Sequence, residues 1–221
     1  MPYVVERIVA QGKEANRDRW FIPTSYQSKL LIVGNGLNLG DSDVFPTIDV
    51  AIDGADEVDS ALNLIKGGGA CHLQEKVIAN AAKELIIVAD NRKRSHVLGT
   101  SWTQGVPIEV APVAASQVIA SLKRLGSPDA KLRMGKAKAG PIITDNGYAY
   151  TTDRNFCIDA PFSPAYMRDP VLLNSQIKQL IGVVEVGIFA GMAKAAYFGN
   201  EDGTVCVQRA NGSVTEDLTV E

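Results

Sequence analysis

Residues 47–76 read TIDVAIDGADEVDSALNLIKGGGACHLQEK, and the fold is decided here. Ile48 to Ile52 is a short, mostly β-branched run that ends at Asp53, the pattern of a strand buried on both faces of a parallel sheet. In open α/β sheets ligands bind outside the carboxyl ends of the strands. Asp53, and Asp56 beyond the turn that Gly54 permits, are therefore expected at a ligand crevice, with Glu57 and Asp59 extending the acidic edge. A second apolar piece, residues 62–65, ends in the cation Lys66 and runs into Gly67, Gly68 and Gly69, where missing side chains let backbone approach a ligand. Leu73, Val77, Ile78, Ala81 and Ala82 recur at roughly helical spacing and predict a helix over residues 70–83 with Glu75 in its first turns. A glycine-rich turn entering a helix offers N–H donors and the positive end of the dipole to an anion.

A carboxylate beside a lysine and a row of N–H donors can remove a proton alpha to a carbonyl and hold the resulting enediolate. In that reading Glu75 is the base, Lys66 and the glycine N–H groups carry the oxyanion, and Asp53 and Asp56 hold sugar hydroxyls or move protons between oxygens. Neighbouring aspartates raise the Glu75 pKa and Lys66 lowers it, so its sign stays open at this point. The plainer alternatives are a solvated acidic turn for DGADE and an ordinary glycine turn for KGGG, which lacks the GK[ST] ending of a nucleotide loop. The chemical reading rests on the combination: DGADE, then Lys66 ten residues after Asp56, then Glu75 nine residues further on.

With these residues the chain resembles ribose-5-phosphate isomerase of the A type. The likeness extends over about residues 1–208, through the segments 89–93, 106–110, 143–147 and 181–189. It implies a Rossmann-like parallel sheet domain, truncated at the N-terminus, joined to a smaller ferredoxin-like α+β domain. It also implies interconversion of D-ribose 5-phosphate and D-ribulose 5-phosphate in the non-oxidative pentose phosphate pathway. Glu75 would shuttle a proton between C1 and C2. Asp53, Gly54, Ala55 and Asp56, then Lys66, Gly67, Gly68 and Gly69, and finally Lys93, would contact the sugar phosphate. No metal or organic cofactor is implied, and a homodimer or homotetramer is expected. The family begins with a helix, a strand and a Gly-Thr-Gly-Ser-Thr phosphate loop, whereas this chain opens on Pro2-Tyr3-Val4-Val5, which resembles the helix after that loop. If the 221 residues are the whole protein, weaker phosphate affinity and turnover are expected. The alternative is therefore a catalytically impaired homologue that binds sugar phosphate or modifies an oligomer. A third reading makes Glu75 the covalent nucleophile of an acyl transferase.

Composition narrows the rest. With 46% hydrophobic residues the chain can bury a substantial core. Its 22 Lys+Arg against 25 Asp+Glu leave a net charge of −3, no broad footprint for nucleic acid or anionic membrane. No apolar run approaches the ~18 residues of a membrane span, and no secretory pattern opens the chain. Cys71, Cys157 and Cys206 are widely spaced without C-x-x-C, which favours reduced thiols and a cytoplasmic location. As a nucleophile Cys71 would need a histidine, and side chains adjacent in sequence, as His72 is, diverge on a helix.

Along the chain, residues 3–11 read as an amphipathic helix and 11–19 as a surface loop. Residues 21–23 read as a strand end, and Ser25 as the N-cap of a helix to about Val33 that explains Thr24 and Ser25 without a ligand. A short strand at 37–39 and a turn before a short helix follow. Residues 85–89 predict the next parallel strand, and the cationic turn 91–94 places Lys93 at its end. The pattern β-α-β-β-α-β over residues 106–186 includes an Asn146-Gly147 hairpin signal and reads as a ferredoxin-like unit. Residues 1–105 and 187–208 are assigned to the catalytic domain, and 209–221 to a disordered acidic tail. Arg133, Lys136 and Lys138 could reach toward the crevice, but exposed lysines are ordinary and they receive no role.

Overall fold

The computed structural model describes residues 2–135, 140–144 and 155–219. Its helices are α1 (Pro2–Ala10), α2 (Lys13–Asn16), α3 (Tyr26–Gly34), α4 (His72–Ala81), α5 (Ala115–Leu125), α6 (Pro164–Met167) and α7 (Pro170–Lys178). The strands are β1 (Ile48–Asp53), β2 (Glu57–Val58), β3 (Leu64–Ile65), β4 (Ala82–Asp90), β5 (Val106–Val110), β6 (Lys131–Leu132), β7 (Phe156–Ala160), β8 (Val183–Val186), β9 (Ile188–Phe189), β10 (Ala193–Gly199), β11 (Thr204–Arg209) and β12 (Val214–Thr219).

Five strands form one sheet in the order β1-β4-β10-β11-β12. β1, β4 and β10 run parallel, and β11 and β12 close the sheet as an antiparallel hairpin. Ala51, Leu85, Ile87, Ala196 and Phe198 turn inward and pack with Ile78 and Ala79 of α4 and with Phe189. A second sheet, ordered β6-β7-β5-β8 and wholly antiparallel, has the strand order of a ferredoxin-like unit. Alternate β5 residues Val106, Ile108 and Val110 point into a core with Val118 and Leu122 of α5 and Leu173 and Ile177 of α7. α5 buries Ala115, Val118 and Leu122, one stripe at helical spacing, and α7 is opened by Asp169, whose side chain accepts from the Leu172 N–H. The mixed α/β fold class expected from sequence is the one observed.

Several local expectations are corrected. β1 is not buried on both faces: it lies at the sheet edge, and Val50 and Ile52 are 48% and 37% exposed while Ala51 and Asp53 are buried. The inner face is packed by α4, and among the described residues no element seals the other. Residues 209–219 are no tail, because Asn211-Gly212 turns the chain back: Gly212 takes a φ of 82° and the Arg209 N–H donates to Ser213 O, seating β12 on β11. The loop expected at 11–19 contains α2, stabilised by buried Asn16, whose Nδ2 donates to Ile8 O and Gly12 O. The strand expected at 37–39 shrinks to one bridge between Leu39 and Phe21, and only a turn follows Asp41. Ser25 does cap α3, in a reciprocal box with Ser28. Lys136, Lys138 and the Asn146-Gly147 hairpin lie outside the described residues.

A third, antiparallel sheet, ordered β2-β3-β9, meets the four-stranded one at Gly187, between β8 and β9. Its N–H donates to Pro107 O (2.7 Å) and its carbonyl accepts from Lys66 N (2.8 Å). A Cβ there would lie 2.2 Å from Lys66 O and 2.9 Å from Pro107 O, both backbone atoms that cannot rotate away. Gly187→Ala is expected to lower stability by about 2–3 kcal/mol, read as a lower urea midpoint with an unchanged m-value.

Candidate active site

The site is built where β1 ends. Asp53 closes the strand, its Oδ1 accepts the Gly54 N–H at 2.7 Å, and its Oδ2 lies 2.9 Å from Lys66 Nζ. Lys66 enters from the end of β3 with its side chain only 3% exposed. The same ammonium donates to Gly54 O and stands 3.3 Å from Glu75 Oε2, which comes from the first turn of α4. At this end of the sheet one buried cation thus faces two carboxylates and a carbonyl. Burial alone would lower the Lys66 pKa, but the Asp53 and Glu75 charges outweigh it and the pKa is raised.

Glu75 is pulled the other way. Desolvation raises its pKa, Lys66 opposes, Asp53 adds to the rise, and the net direction is upward. Its Oε1 accepts from the Cys71 thiol at 3.0 Å. Its Oε2 is ion-paired with the Lys66 ammonium at 3.3 Å, so the base and the cation stand side by side in a buried site. Cys71 is itself held protonated, first by burial and then by the Glu75 charge. It is a donor to the base and not a nucleophile.

Asp56 supports the glycine turn. Its Oδ2 accepts the Gly68 N–H at 2.6 Å, and burial raises its pKa against the lowering effects of that bond, Lys66, Lys93 and Arg133. Gly67 takes a φ of 103°, and a Cβ there would meet the His72 ring at 2.6 Å; a Cβ on Gly68 would lie 2.5 Å from Asp56 Oδ1. Ala70 sits at a φ of 57°, held by its N–H to Gly67 O, a strained position for a residue with a side chain. Gly68 and Gly69 are exposed and open the cluster to solvent. Ala55 is half-buried against the main core. Lys93, in the 3-10 turn after β4, has its Nζ 5.7 Å from the Trp102 ring and carries its charge to the Asp56 side of the crevice.

Glu57 and Asp59 do not extend the acidic edge. Glu57 is fully buried and accepts from Ser95 Oγ and the N–H groups of Gly99, Thr100 and Ser101, so it folds the 95–102 loop. Asp59 caps its own turn through the Ala61 and Asn63 N–H groups.

Sequence reasoning lets Arg133 reach toward the crevice but gives it no role. Leu132 pairs with Ile158 and packs into the small-sheet core, so alternation turns Arg133 to the opposite face, toward Gly67 and Gly68. That alternation was the available signal. His72 is buried under the same turn. Burial and Lys76 lower its pKa to about 3, so it is a neutral packing group.

A cavity of about 680 Å³ lies along α4 away from this cluster, against Trp20, Ile22, Phe45, Leu73, Val77 and Ile78. None of Asp53, Asp56, Lys66 or Glu75 lines it. Its walls are mainly apolar, so the chemistry is assigned to the crevice at the end of β1. Among the described residues no group of His, Cys, Asp and Glu could hold a metal ion, and no helix is long and apolar enough to cross a membrane.

Residues 20–203 match the family described as ribose 5-phosphate isomerase A (phosphoriboisomerase A). The chain is 61% identical over 218 residues to a ribose-5-phosphate isomerase of Mycosarcoma maydis, spanning 99% of this chain and 74% of that protein. Ribose 5-phosphate isomerase A of Methanocaldococcus jannaschii superposes with a TM-score of 0.82 at 33% identity, over 94% of this chain and 86% of the other. A D-ribose-5-phosphate isomerase in complex with phospho-erythronic acid superposes with a TM-score of 0.83 at 38% identity, over the same shares.

A carboxylate whose folded pKa lies above its ordinary value binds more protons folded than unfolded. Its favourable contribution is present below the ordinary value of 4.5 and is lost as pH rises toward the raised value. Glu75→Gln removes that loss, so the stability of the variant relative to the parent should increase from pH 4 to pH 7.5, read as a growing difference in Tm.

Proposed function

The chain belongs to the ribose 5-phosphate isomerase A family, and we infer that it interconverts D-ribose 5-phosphate and D-ribulose 5-phosphate with Glu75 as the base. The exchange takes the proton from C2 of the aldose. The C–H electron pair forms the C1–C2 double bond of an enediolate, and negative charge gathers on O1. Returning the proton to C1, with transfer of the O2 hydroxyl proton toward O1, gives the ketose. Such a step needs a base close to neutrality, a cation beside the developing charge, and proton carriers near both oxygens.

The observation that carries this reading is the buried Asp53–Lys66–Glu75 cluster, in which the base's Oε2 lies 3.3 Å from the ammonium. An oxygen neutralised by Lys66 would be bonded to a carbon within reach of Glu75. The upward pKa shift of Glu75 favours proton abstraction near neutral pH. The glycine turn would supply N–H groups to the enediolate from Gly67 and Gly69, the Gly68 N–H being held by Asp56; Asp53, Gly54, Ala55 and Asp56 would meet the hydroxyls, and Lys93 would approach the sugar phosphate from the end of β4. An impaired, binding-only homologue is not favoured, because base, cation and glycine turn stand together. The acyl-transfer reading has no comparable support.

We further propose the division into residues 1–105 with 187–219 and residues 106–186, supported by two clusters of buried residues, the second of which also takes in Ile65, Leu98 and Ile188 where the units join. A homodimer or homotetramer is supported by Val113 and Ile181, each 94% exposed beside the Ala111–Gly182 hydrogen bond. A cytoplasmic location is supported by the wide spacing of Cys71, Cys157 and Cys206, with no C-x-x-C among them.

Glu75→Gln should reduce kcat by about 10²–10⁴-fold and abolish solvent-deuterium incorporation at the reacting carbons, while binding of ribose 5-phosphate measured by calorimetry changes little. Equal loss of binding and turnover would reject Glu75 as the base. The Cys71 thiol lowers the Glu75 pKa, so Cys71→Ala should move the acid limb of the kcat/KM profile to higher pH; a shift to lower pH would contradict the hydrogen bond.

A further inference from the structure

Arg133 lies in no segment that the resemblance assigned to the substrate, yet four of its N–H bonds are committed. Nε donates to Asp159 Oδ2 at 2.9 Å and Nη2 to Asp159 Oδ1 at 2.5 Å, a bidentate pair whose side chains are 13% and 8% exposed. Nη1 donates to Gly67 O at 2.8 Å and to Gly68 O at 3.1 Å. Asp159 belongs to β7, so the guanidinium is braced on the small sheet and reaches across to the turn that carries Lys66.

The peptide unit is planar and trans, so fixing a carbonyl fixes the N–H on the opposite edge of the same plane. With Gly67 O drawn to Arg133, the Gly68 N–H must point the other way, and it does, onto Asp56 at 2.6 Å. With Gly68 O drawn to the same guanidinium, the Gly69 N–H must likewise face away from Arg133. Gly69 is exposed, and its N–H finds no acceptor among the described residues. Glycines this permissive would otherwise sample several orientations of both planes.

We propose that Arg133, braced by Asp159, is a positioning residue that sets both peptide planes of the glycine turn and so aims the Gly69 N–H at the enediolate oxygen. This rests on the isomerase reading above. Asp159 provides the geometry, because only a planar fork held on one side can span two successive carbonyls on the other. Lysine at this position keeps the charge and loses the fork.

The test compares the parent chain with Arg133→Lys and Asp159→Asn, all checked for folding by Tm. It measures kcat and KM for ribose 5-phosphate and the affinity for phospho-erythronic acid, whose carboxylate stands in for the enediolate. Arg133→Lys should lower kcat by about 10²-fold, the scale of one lost oxyanion donor. KM should stay within about two-fold, and phospho-erythronic acid affinity should fall by at least about ten-fold. Asp159→Asn should show the same split at smaller amplitude and decides the question if Arg133→Lys does not fold. A rise in KM at constant kcat, or losses that only track the folded fraction, would overturn the proposal. If the parent binds the acid but does not isomerise, the functional reading fails and the affinities alone decide: unchanged affinity in both variants overturns the positioning role. Absence of binding by the parent overturns both.

Discussion

The ammonium of Lys66 is the constraint around which the site is arranged. An isolated charge with 3% exposure would be expensive, and two carboxylates and a carbonyl are gathered to offset that cost. The partners come from three places in the chain: the end of β1, the turn after it, and the first helical turn of α4. Burying this cation therefore requires β1, β3 and α4 to close on one another. The same requirement places a buried carboxylate of raised pKa beside a positive charge, so stability and chemistry draw on one set of contacts.

A second layer holds that arrangement from outside. Lys76, one residue beyond Glu75, donates to Glu185 and to the carbonyls of Val186 and Ile188, tying α4 to β8 and β9. Its Nζ also lies 4.7 Å from the Phe189 ring centroid, while Lys66 Nζ is 5.5 Å from the same ring. Gly187 passes between the three-stranded and four-stranded sheets where no side chain fits. The polar face of the small sheet thus packs against the helix that carries the base, and its apolar face packs against α5 and α7. Division of labour between the two faces follows from the period-two alternation of β5 and β7.

Much of the site was legible because its residues announce themselves locally. Asp53 ends a strand, Lys66 precedes three glycines, and Glu75 falls in the first turns of a helix; each is a statement about a neighbouring element. What alternation and motif do not reveal is which acidic residue turns in and which turns away. Glu57 and Asp59 are as acidic as Asp53 and Asp56, yet they are consumed by backbone N–H groups of loops, one of them some forty residues downstream at Gly99, Thr100 and Ser101. Arg133 was hidden for the same reason, since its carbonyl partners lie 66 and 65 residues away in sequence. The last strand was a different kind of miss: Asn211-Gly212 followed by alternating apolar and polar residues was a hairpin signal read as a tail.

The claim on which the rest depends is that the oxygen neutralised by Lys66 and the carbon relieved of its proton by Glu75 belong to one substrate in one crevice. A crystal structure of the protein with phospho-erythronic acid tests this most directly. The account predicts the acid's carboxylate within hydrogen-bonding distance of Lys66 Nζ and the Gly69 N–H, with the Glu75 carboxylate about 3–3.5 Å from the adjacent carbon. Density for the acid in the apolar cavity along α4, or a Glu75 carboxylate turned away from it, would contradict the account.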